Sequence, residues 1–246
     1  MIEHSVIWRN SRPACRMALT ALLGVGLWSV ATLAPADTGA AHQTLATMNV
    51  PFSVDRFVQE AAQGDMAVVE TFLQAGQNAD GADPRRGATA LLYAAGQGHM
   101  RVVKKLIENG AKVDHADDDG TTPLINACYF GRRDIVKLLI EAGAQANTVP
   151  RSGPTPLIAA IYGGNVEIVD LLLDHGAEVE RATSAGVRPL LAAAYSGRLP
   201  IVKKLLEKGA DPSAKDANGD SPQQAASTMN HQEVARLLAG AGGKGK

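Results

Sequence analysis

The sequence is poor in cysteine, in aromatic residues and in net charge. Its 246 residues include two cysteines, and aromatic residues make up 4% of the chain. Lysine and arginine number 24 against 25 acidic residues, so the formal net charge is -1 and no global positive field exists to attract nucleic acid or an anionic membrane. The low aromatic content, beside 46% hydrophobic residues, favours short helices packed through small side chains and argues against a β-sandwich.

An export signal is predicted at the N-terminus. The segment begins with three basic residues, Arg9, Arg12 and Arg16. Residues 17–33 are then uncharged and mostly apolar, and residues 34–36 (Ala-Pro-Ala) form a small-x-small cleavage site. We therefore predict a signal peptide over 1–36, a mature chain that starts near Asp37, and export, with the periplasm as location. The alternative is an uncleaved anchor, because about 17 apolar residues lie near the lower limit for crossing a bilayer.

Removal of the signal leaves Cys128 as the sole cysteine of the mature chain. An internal disulfide is then excluded even in an oxidising compartment, so stability must come from packing. No Asn-x-Ser/Thr sequon occurs in the sequence, which agrees with a bacterial periplasm.

Three features recur with a period of 33 residues, which indicates a repeat protein. The first is a glycine at 87, 120, 153, 186 and 219. The second is a glycine at 98, 131, 164 and 197, with Asn230 in the next place, and the third is a Gly-Ala pair that begins at 110, 143, 176 and 209. Gly64 and Gly76 stand 12 residues apart, as Gly98 and Gly110 do, but they precede that pair by 34 residues instead of 33. This is expected for an atypical terminal unit.

Each repeat carries the start and stop signals of two short helices. A hydroxyl N-cap followed by proline opens the first helix at Thr122-Pro123, Thr155-Pro156 and Ser221-Pro222. Apolar residues at helical spacing lie on both sides of the inter-helix glycine, and the second helix ends at the Gly-Ala pair. Helices of about ten residues are unstable alone in water, so the units must stack on one another.

The pattern resembles the ankyrin repeat. Asp-Gly-Thr-Thr-Pro-Leu at 119–124, the inter-helix Gly131 and the Gly143-Ala144 pair all match that family. The resemblance implies an all-α solenoid of stacked helix-turn-helix units joined by β-hairpin-like loops. In place of the histidine that often follows Thr-Pro-Leu in the family, this chain has Leu92, Ile125, Ile158, Leu191 and Gln224. Apolar packing is expected to replace any hydrogen bonds of that histidine.

The predicted domain organisation follows from the repeat boundaries. The ankyrin-repeat domain covers residues 53–240 in about six units. These are an N-terminal cap at about 53–80, four internal repeats that begin near 83, 116, 149 and 182, and a C-terminal cap from about 215. Residues 37–52 are predicted to be a linker, and residues 241–246 a flexible tail.

A tyrosine recurs at one repeat position, as Tyr129, Tyr162 and Tyr195, two residues before the inter-helix glycine. The resemblance places this position on the concave groove of the array and so implies a stripe of tyrosines across three adjacent repeats. Tyrosine suits binding because it offers a large contact area with few rotatable bonds. The alternative is that the rings only pack on neighbouring helices. The predicted partner-binding set also includes the adjacent aromatic residue and charged loop tips, namely Phe130, Arg85, Arg86, Asp118, Asp119 and Arg151.

No catalytic or metal-binding set is evident in the sequence. The six histidines form no pair at ligand spacing, and the acidic run at 117–119 lacks the later Gly and Glu of a calcium loop. Cys128 occupies a position filled by alanine in other repeats, such as Ala95 and Ala194, so it is expected to be a core residue. We predict no catalytic residues, no metal and no cofactor.

The predicted function is a non-enzymatic module that binds another protein through the groove and loop tips of the array. The expected protein is a monomer, without nucleic acid and without membrane contact beyond a possible N-terminal anchor. An alternative, suggested by similar exported bacterial ankyrin proteins, is a periplasmic stress-protection factor that supports a haem-dependent peroxide-removing enzyme. A third possibility is an enzyme with an unrecognised site, which would require a convergent set of titratable groups that the sequence does not display.

Overall fold

The computed structural model describes residues 38–242, and within that range the chain forms thirteen α-helices and one antiparallel bridge between Ala82 and Thr89. The helices are α1 Thr38–Thr47, α2 Val54–Gln63, α3 Met66–Gln74, α4 Ala90–Gln97, α5 Met100–Glu108, α6 Pro123–Tyr129, α7 Arg133–Glu141, α8 Pro156–Gly163, α9 Val166–Asp174, α10 Pro189–Tyr195, α11 Leu199–Glu207, α12 Pro222–Thr228 and α13 Gln232–Gly242. This all-α architecture confirms the predicted fold class. The predicted signal peptide, residues 1–36, lies outside the described residues.

Six helix pairs follow α1. We call α2, α4, α6, α8, α10 and α12 the first helices, and α3, α5, α7, α9, α11 and α13 the second helices. Thr122 caps α6 by accepting the Ile125 N–H at 3.3 Å, and Ser221 forms a reciprocal capping box with Gln224 at the start of α12. Proline stands in the first turn of both helices. The predicted helix starts are therefore confirmed by the hydrogen bonds that define them.

Gly143 ends the second helix of its repeat in the predicted left-handed conformation, with φ of 93°. Its N–H donates to the Ile140 carbonyl at 2.9 Å, and the N–H of Ala144 donates to the Leu139 carbonyl at 2.9 Å. These two bonds form a Schellman motif, which satisfies carbonyls that the helix itself leaves unpaired.

The core of the array is built mainly from small and branched apolar residues. Alanine stands fully buried at one repeat position of five first helices, at 94, 127, 160, 193 and 226. Because alanine presents only a methyl group, neighbouring first helices approach closely, and they contact each other far more extensively than neighbouring second helices do. Larger side chains of the second helices, such as Leu139 and Leu172, are also fully buried.

Side chains at the start of three second helices bond to the repeat before. The bonds are from His99 Nε2 to the Ala62 carbonyl at 3.0 Å, from Arg132 Nε to the Gly96 carbonyl at 2.9 Å, and from His231 Nε2 to the Tyr195 carbonyl at 3.1 Å. Each acceptor lies in the last turn of a first helix, where carbonyls lack intrahelical partners. The His99 ring lies over Gly64, where a Cβ would approach the ring to 2.4 Å. Both histidines therefore have structural roles.

The predicted linker and tail are corrected by the structure. Residues 37–52 were predicted to be a linker, but α1 occupies most of this range and packs against α3, with Ala41 and Leu45 buried. The helix has little amphipathic character of its own, so its position depends on packing against α3. The predicted tail of 241–246 also begins too early, because α13 continues to Gly242. Residues 243–246 lie outside the described residues.

Candidate functional site

The three repeated tyrosines lie in the last turns of three successive first helices. Tyr129 ends α6, Tyr162 is the penultimate residue of α8, and Tyr195 ends α10. Tyr129 is 49% exposed and Tyr162 is 40% exposed, whereas Tyr195 is partly buried. The helices place all three at one repeat position, and two of the rings present large accessible surfaces.

Phe130 extends this surface toward the preceding repeat. It follows α6 directly and is 50% exposed, and its ring meets the Tyr129 ring edge-on with centroids 5.2 Å apart. The Phe130 ring also lies 3.3 Å from the point where a Cβ on Gly96 would stand. Since Gly96 occupies the tyrosine position of its own repeat, its missing side chain leaves room for the phenylalanine. We call Phe130, Tyr129 and Tyr162 the aromatic patch.

The close approach of α6 and α8 brings the backbones that carry Tyr129 and Tyr162 side by side. A Cβ on Gly163, the residue after Tyr162, would stand 2.6 Å from the Tyr129 carbonyl oxygen. The backbones of the two helices are therefore in contact at this point, next to both tyrosines. The core residues Ala127 and Cys128, which precede Tyr129 in α6, are fully buried. The patch is thus separate from the hydrophobic core.

Tyr195 differs from the other two tyrosines because acidic residues surround it. Burial is the main cause that raises the pKa of its hydroxyl, and the charges of Asp220 and Asp216, with a hydrogen bond to Asp220, raise it further. Burial also raises the pKa of Tyr162. Both hydroxyls stay protonated near neutral pH and can donate or accept hydrogen bonds. Asp220 is absent from the predicted set, because the contact joins residues 25 positions apart in different repeats.

The predicted loop-tip residues are exposed, and several of them also hold neighbouring loops together. Arg86 and Asp119 form an ion pair between adjacent repeats at 3.8 Å, and the Asp118 N–H donates to the Arg86 carbonyl at 2.9 Å. The Arg151 carbonyl accepts a hydrogen bond from Ser184 Oγ at 3.0 Å. The side chains of Arg85 and Arg151 are exposed, and no ion pair engages either within residues 38–242. The loops therefore form a rim of mixed charge.

A second set of bonds between repeats arises from oxygen-bearing side chains that the sequence reasoning missed. Backbone N–H groups of the next repeat donate to Asp114 Oδ1 at 3.0 Å, to Asn147 Oδ1 at 2.8 Å and to Glu180 Oε1 at 2.9 Å. The three acceptors stand 33 residues apart, so the repeat period contained the signal. These bonds fix the register of the loops beside the rim.

The remaining candidates for chemistry have structural positions. The thiol of Cys128 is fully buried, as predicted for a core residue, and burial raises its pKa far above the ordinary value. Asp117 Oδ1 accepts the N–H groups of Asp119 at 3.1 Å and Thr121 at 2.8 Å, so it shapes its own turn. Across residues 38–242, no group of three His, Cys, Asp or Glu side chains is arranged to hold a metal ion. No helix in that range is long and apolar enough to span a bilayer.

The chain is an all-α repeat solenoid. Its helix pairs stack with closely packed first helices, its loops bond from repeat to repeat, and it exposes an aromatic surface. A family model for ankyrin repeats in three copies matches residues 57–150 and again 142–216, which together cover more than half of the chain. The chain belongs to the ankyrin-repeat family. Ankyrin repeats are generally protein–protein interaction modules and typically have no enzymatic activity. No protein of curated function matches this sequence.

Proposed function

We propose that this protein is a non-enzymatic binding module that captures another protein on the aromatic patch, with the charged loop tips as a rim. The observation that carries the proposal is the exposure of three adjacent aromatic side chains, between 40% and 50% each, on one side of closely packed first helices. Aromatic residues are enriched among those that contribute most to interface affinity.

The extent of the array supports the same proposal. A standard interface buries about 800 Å² per partner, which requires a surface that spans several repeats rather than a single loop. The aromatic patch would form the apolar centre of such an interface. Arg85, Arg151 and the Asp118–Asp119 loop would lie at its edge, where solvent-exposed charges govern orientation and association rate more than affinity.

The test replaces the aromatic patch and measures folding and binding on the same variants. Tyr129→Ala, Phe130→Ala and Tyr162→Ala should leave helicity intact and lower the melting temperature less than a core truncation would, because each residue is 40–50% exposed. At a true hot spot each should weaken partner binding by about 2 kcal/mol or more. Met229→Ala is the matched control, since Met229 is 51% exposed and occupies the Phe130 position of the last repeat. Loss of folding without a selective loss of binding would contradict the proposal.

Tyr195 serves as an internal comparison. It shares the repeat position of Tyr129 but is partly buried and interacts with Asp220. Tyr195→Ala should therefore combine a measurable loss of stability with a smaller loss of binding. If Tyr195→Ala weakened binding more than Tyr129→Ala and left stability intact, the centre of the interface would lie nearer the C-terminal repeats.

We also propose export to the periplasm, on the basis of the basic and apolar segments that precede the array. N-terminal sequencing of the cellular protein should give a chain that starts near Asp37. A cytosolic species with intact Met1 would refute export, and a membrane-bound species with intact Met1 would replace cleavage with the anchor. The exported protein is proposed to be a monomer, which light scattering of the purified chain will test.

A pull-down from the extracytoplasmic fraction tests which partner the array binds, and whether the role is the stress protection that similar exported bacterial ankyrin proteins suggest. Recovery of a haem-dependent peroxide-removing enzyme would support the stress-protection role, and recovery of another protein would support a different binding function. The aromatic-patch variants provide the specificity control in both cases, because a specific partner must be lost with them and retained with Met229→Ala.

A further inference from the structure

One repeat position changes from small to large along the array. The residue two places before the inter-helix turn is Ala62 in the first repeat and Gly96 in the second, then Tyr129, Tyr162, Tyr195 and finally Thr228. The position that carries a phenol ring in three central repeats therefore carries only a methyl group in the first repeat (Ala62) and a hydrogen atom in the second (Gly96). Because Asn126 and Phe130 occupy the space beside Gly96, the recess remains at Ala62.

A pocket of about 410 Å³ lies at this recess, between α2 and α4. Its lining includes the apolar side chains of Val58 and Ala62 from α2 and the ring of Tyr93 from α4. The loop before α4 contributes Arg85 and Arg86. This volume falls within the range of pockets that bind small ligands and is large enough for one bulky side chain of a partner.

The charged groups of the pocket balance one another. Arg85 and Arg86 carry two positive charges, and Asp55 and Asp83 carry two negative charges. The Asp83 carboxylate is used by its own turn, because Oδ1 accepts the N–H of Arg85 at 2.8 Å and that of Arg86 at 3.0 Å. Among the described residues, no hydrogen bond or ion pair engages the Asp55 carboxylate or the Arg85 guanidinium. The pocket thus offers a solvent-exposed acceptor, Asp55, and a solvent-exposed cation, Arg85, while Arg86 pairs with Asp119 outside the lining.

We propose that this pocket receives an uncharged aromatic side chain that carries a hydrogen-bond donor, a tryptophan or tyrosine of the protein partner. The inference rests on the proposed binding function and names an anchor for it. The ring packs on Val58 and Ala62 and against Tyr93, the Arg85 guanidinium lies against its face, and its N–H or O–H donates to Asp55. A side chain with a donor gains a hydrogen bond to Asp55 that an aliphatic side chain does not make, and a lining with equal numbers of positive and negative groups gives a charged side chain no net attraction.

Ala62→Tyr is the direct test, because it fills the recess with the residue that the same position carries in three other repeats. Thr228→Tyr is the matched control, since it adds the same side chain at the same repeat position at the other end of the array. The probe is N-acetyl-tryptophanamide, titrated into the isotopically labelled protein with amide chemical shifts as readout. The expected result is weak, saturable binding that perturbs the amides of Val58, Tyr93 and Arg85, is lost in Ala62→Tyr and is retained in Thr228→Tyr. Equal perturbation by N-acetyl-leucinamide, or binding that persists in Ala62→Tyr, would overturn the inference.

Partner capture separates this inference from the proposed function. Ala62→Tyr should weaken capture about tenfold or more while the aromatic patch is intact. If the patch variants lose the partner and Ala62→Tyr does not, the binding function stands and the pocket inference is wrong. If the patch variants retain the partner, the proposed function is wrong, and the N-acetyl-tryptophanamide titration still decides whether the pocket selects an aromatic donor.

Discussion

Replacing Gly163 with alanine should force two first helices apart and destabilise the array. Gly163 ends α8, and an added Cβ would stand 2.6 Å from the Tyr129 carbonyl oxygen and 3.1 Å from the Cys128 carbonyl oxygen. Both contacts are with backbone atoms, which cannot rotate away as a side chain can. The helices must therefore separate at the point where they place Tyr129 beside Tyr162, so the aromatic patch should be disturbed together with the fold.

The magnitude follows from two opposing effects. Alanine in place of glycine in an unhindered helix stabilises by about 0.5–1 kcal/mol, because the unfolded chain loses freedom. Overpacking of a close contact destabilises by about 1–3 kcal/mol, so the midpoints of the two ranges leave an expected net loss of about 1 kcal/mol. For a chain of this size, each kcal/mol lowers the melting temperature by about 2–4 °C, which is the expected decrease.

Far-UV circular dichroism follows helix content during thermal and urea unfolding and so measures the stability of each variant. Gly240→Ala is the control, because Gly240 lies in α13 with no atom within 4 Å of an added Cβ. The control should be neutral or gain less than about 1 kcal/mol. If Gly163→Ala were as stable as the control, the two first helices would not be in backbone contact, and the argument that places Tyr129 beside Tyr162 would fail.

Two further predictions concern titrating groups. The first uses the full chain with Cys15 replaced by serine. Because burial raises the pKa of the Cys128 thiol, this thiol should react with a thiol reagent only after unfolding. Rapid reaction of the native protein would contradict its burial. Asp220→Asn should lower the pKa of Tyr195 toward that of an ordinary tyrosine, measured by alkaline titration, because it removes a negative charge that disfavours the phenolate. Burial still raises the pKa of Tyr195 in the variant. The contribution of the protonated Tyr195 to stability is therefore full below the unfolded-state pKa and is lost as pH rises through the folded-state pKa. An unchanged pKa would show that Asp220 does not act on this hydroxyl.

The candidate site was only partly predictable from the sequence. The period of 33 identified Tyr129, Tyr162 and Tyr195 as equivalent, but it made no distinction between them. The difference arises from neighbours in other repeats: Gly96 leaves room for Phe130, whereas Asp220 interacts with Tyr195. The recess at Ala62 likewise depends on Tyr93 and a loop that belong to the next repeat. Such contacts join residues about 25 to 35 positions apart, beyond the reach of local pattern.

The sequence by itself determined the repeat, its helix pairs and their boundaries, because these depend on local chemistry. A hydroxyl at Thr122 caps the backbone three residues on, and Gly143 supplies the left-handed residue that ends a helix. Only the tertiary structure decided that residues 38–47 form a helix, that Arg132 bonds the carbonyl of Gly96, and that a pocket opens between α2 and α4. The physical reason is that a helix as short as α1 is stable only when packed, and that a side chain finds a distant partner only after the repeats have stacked.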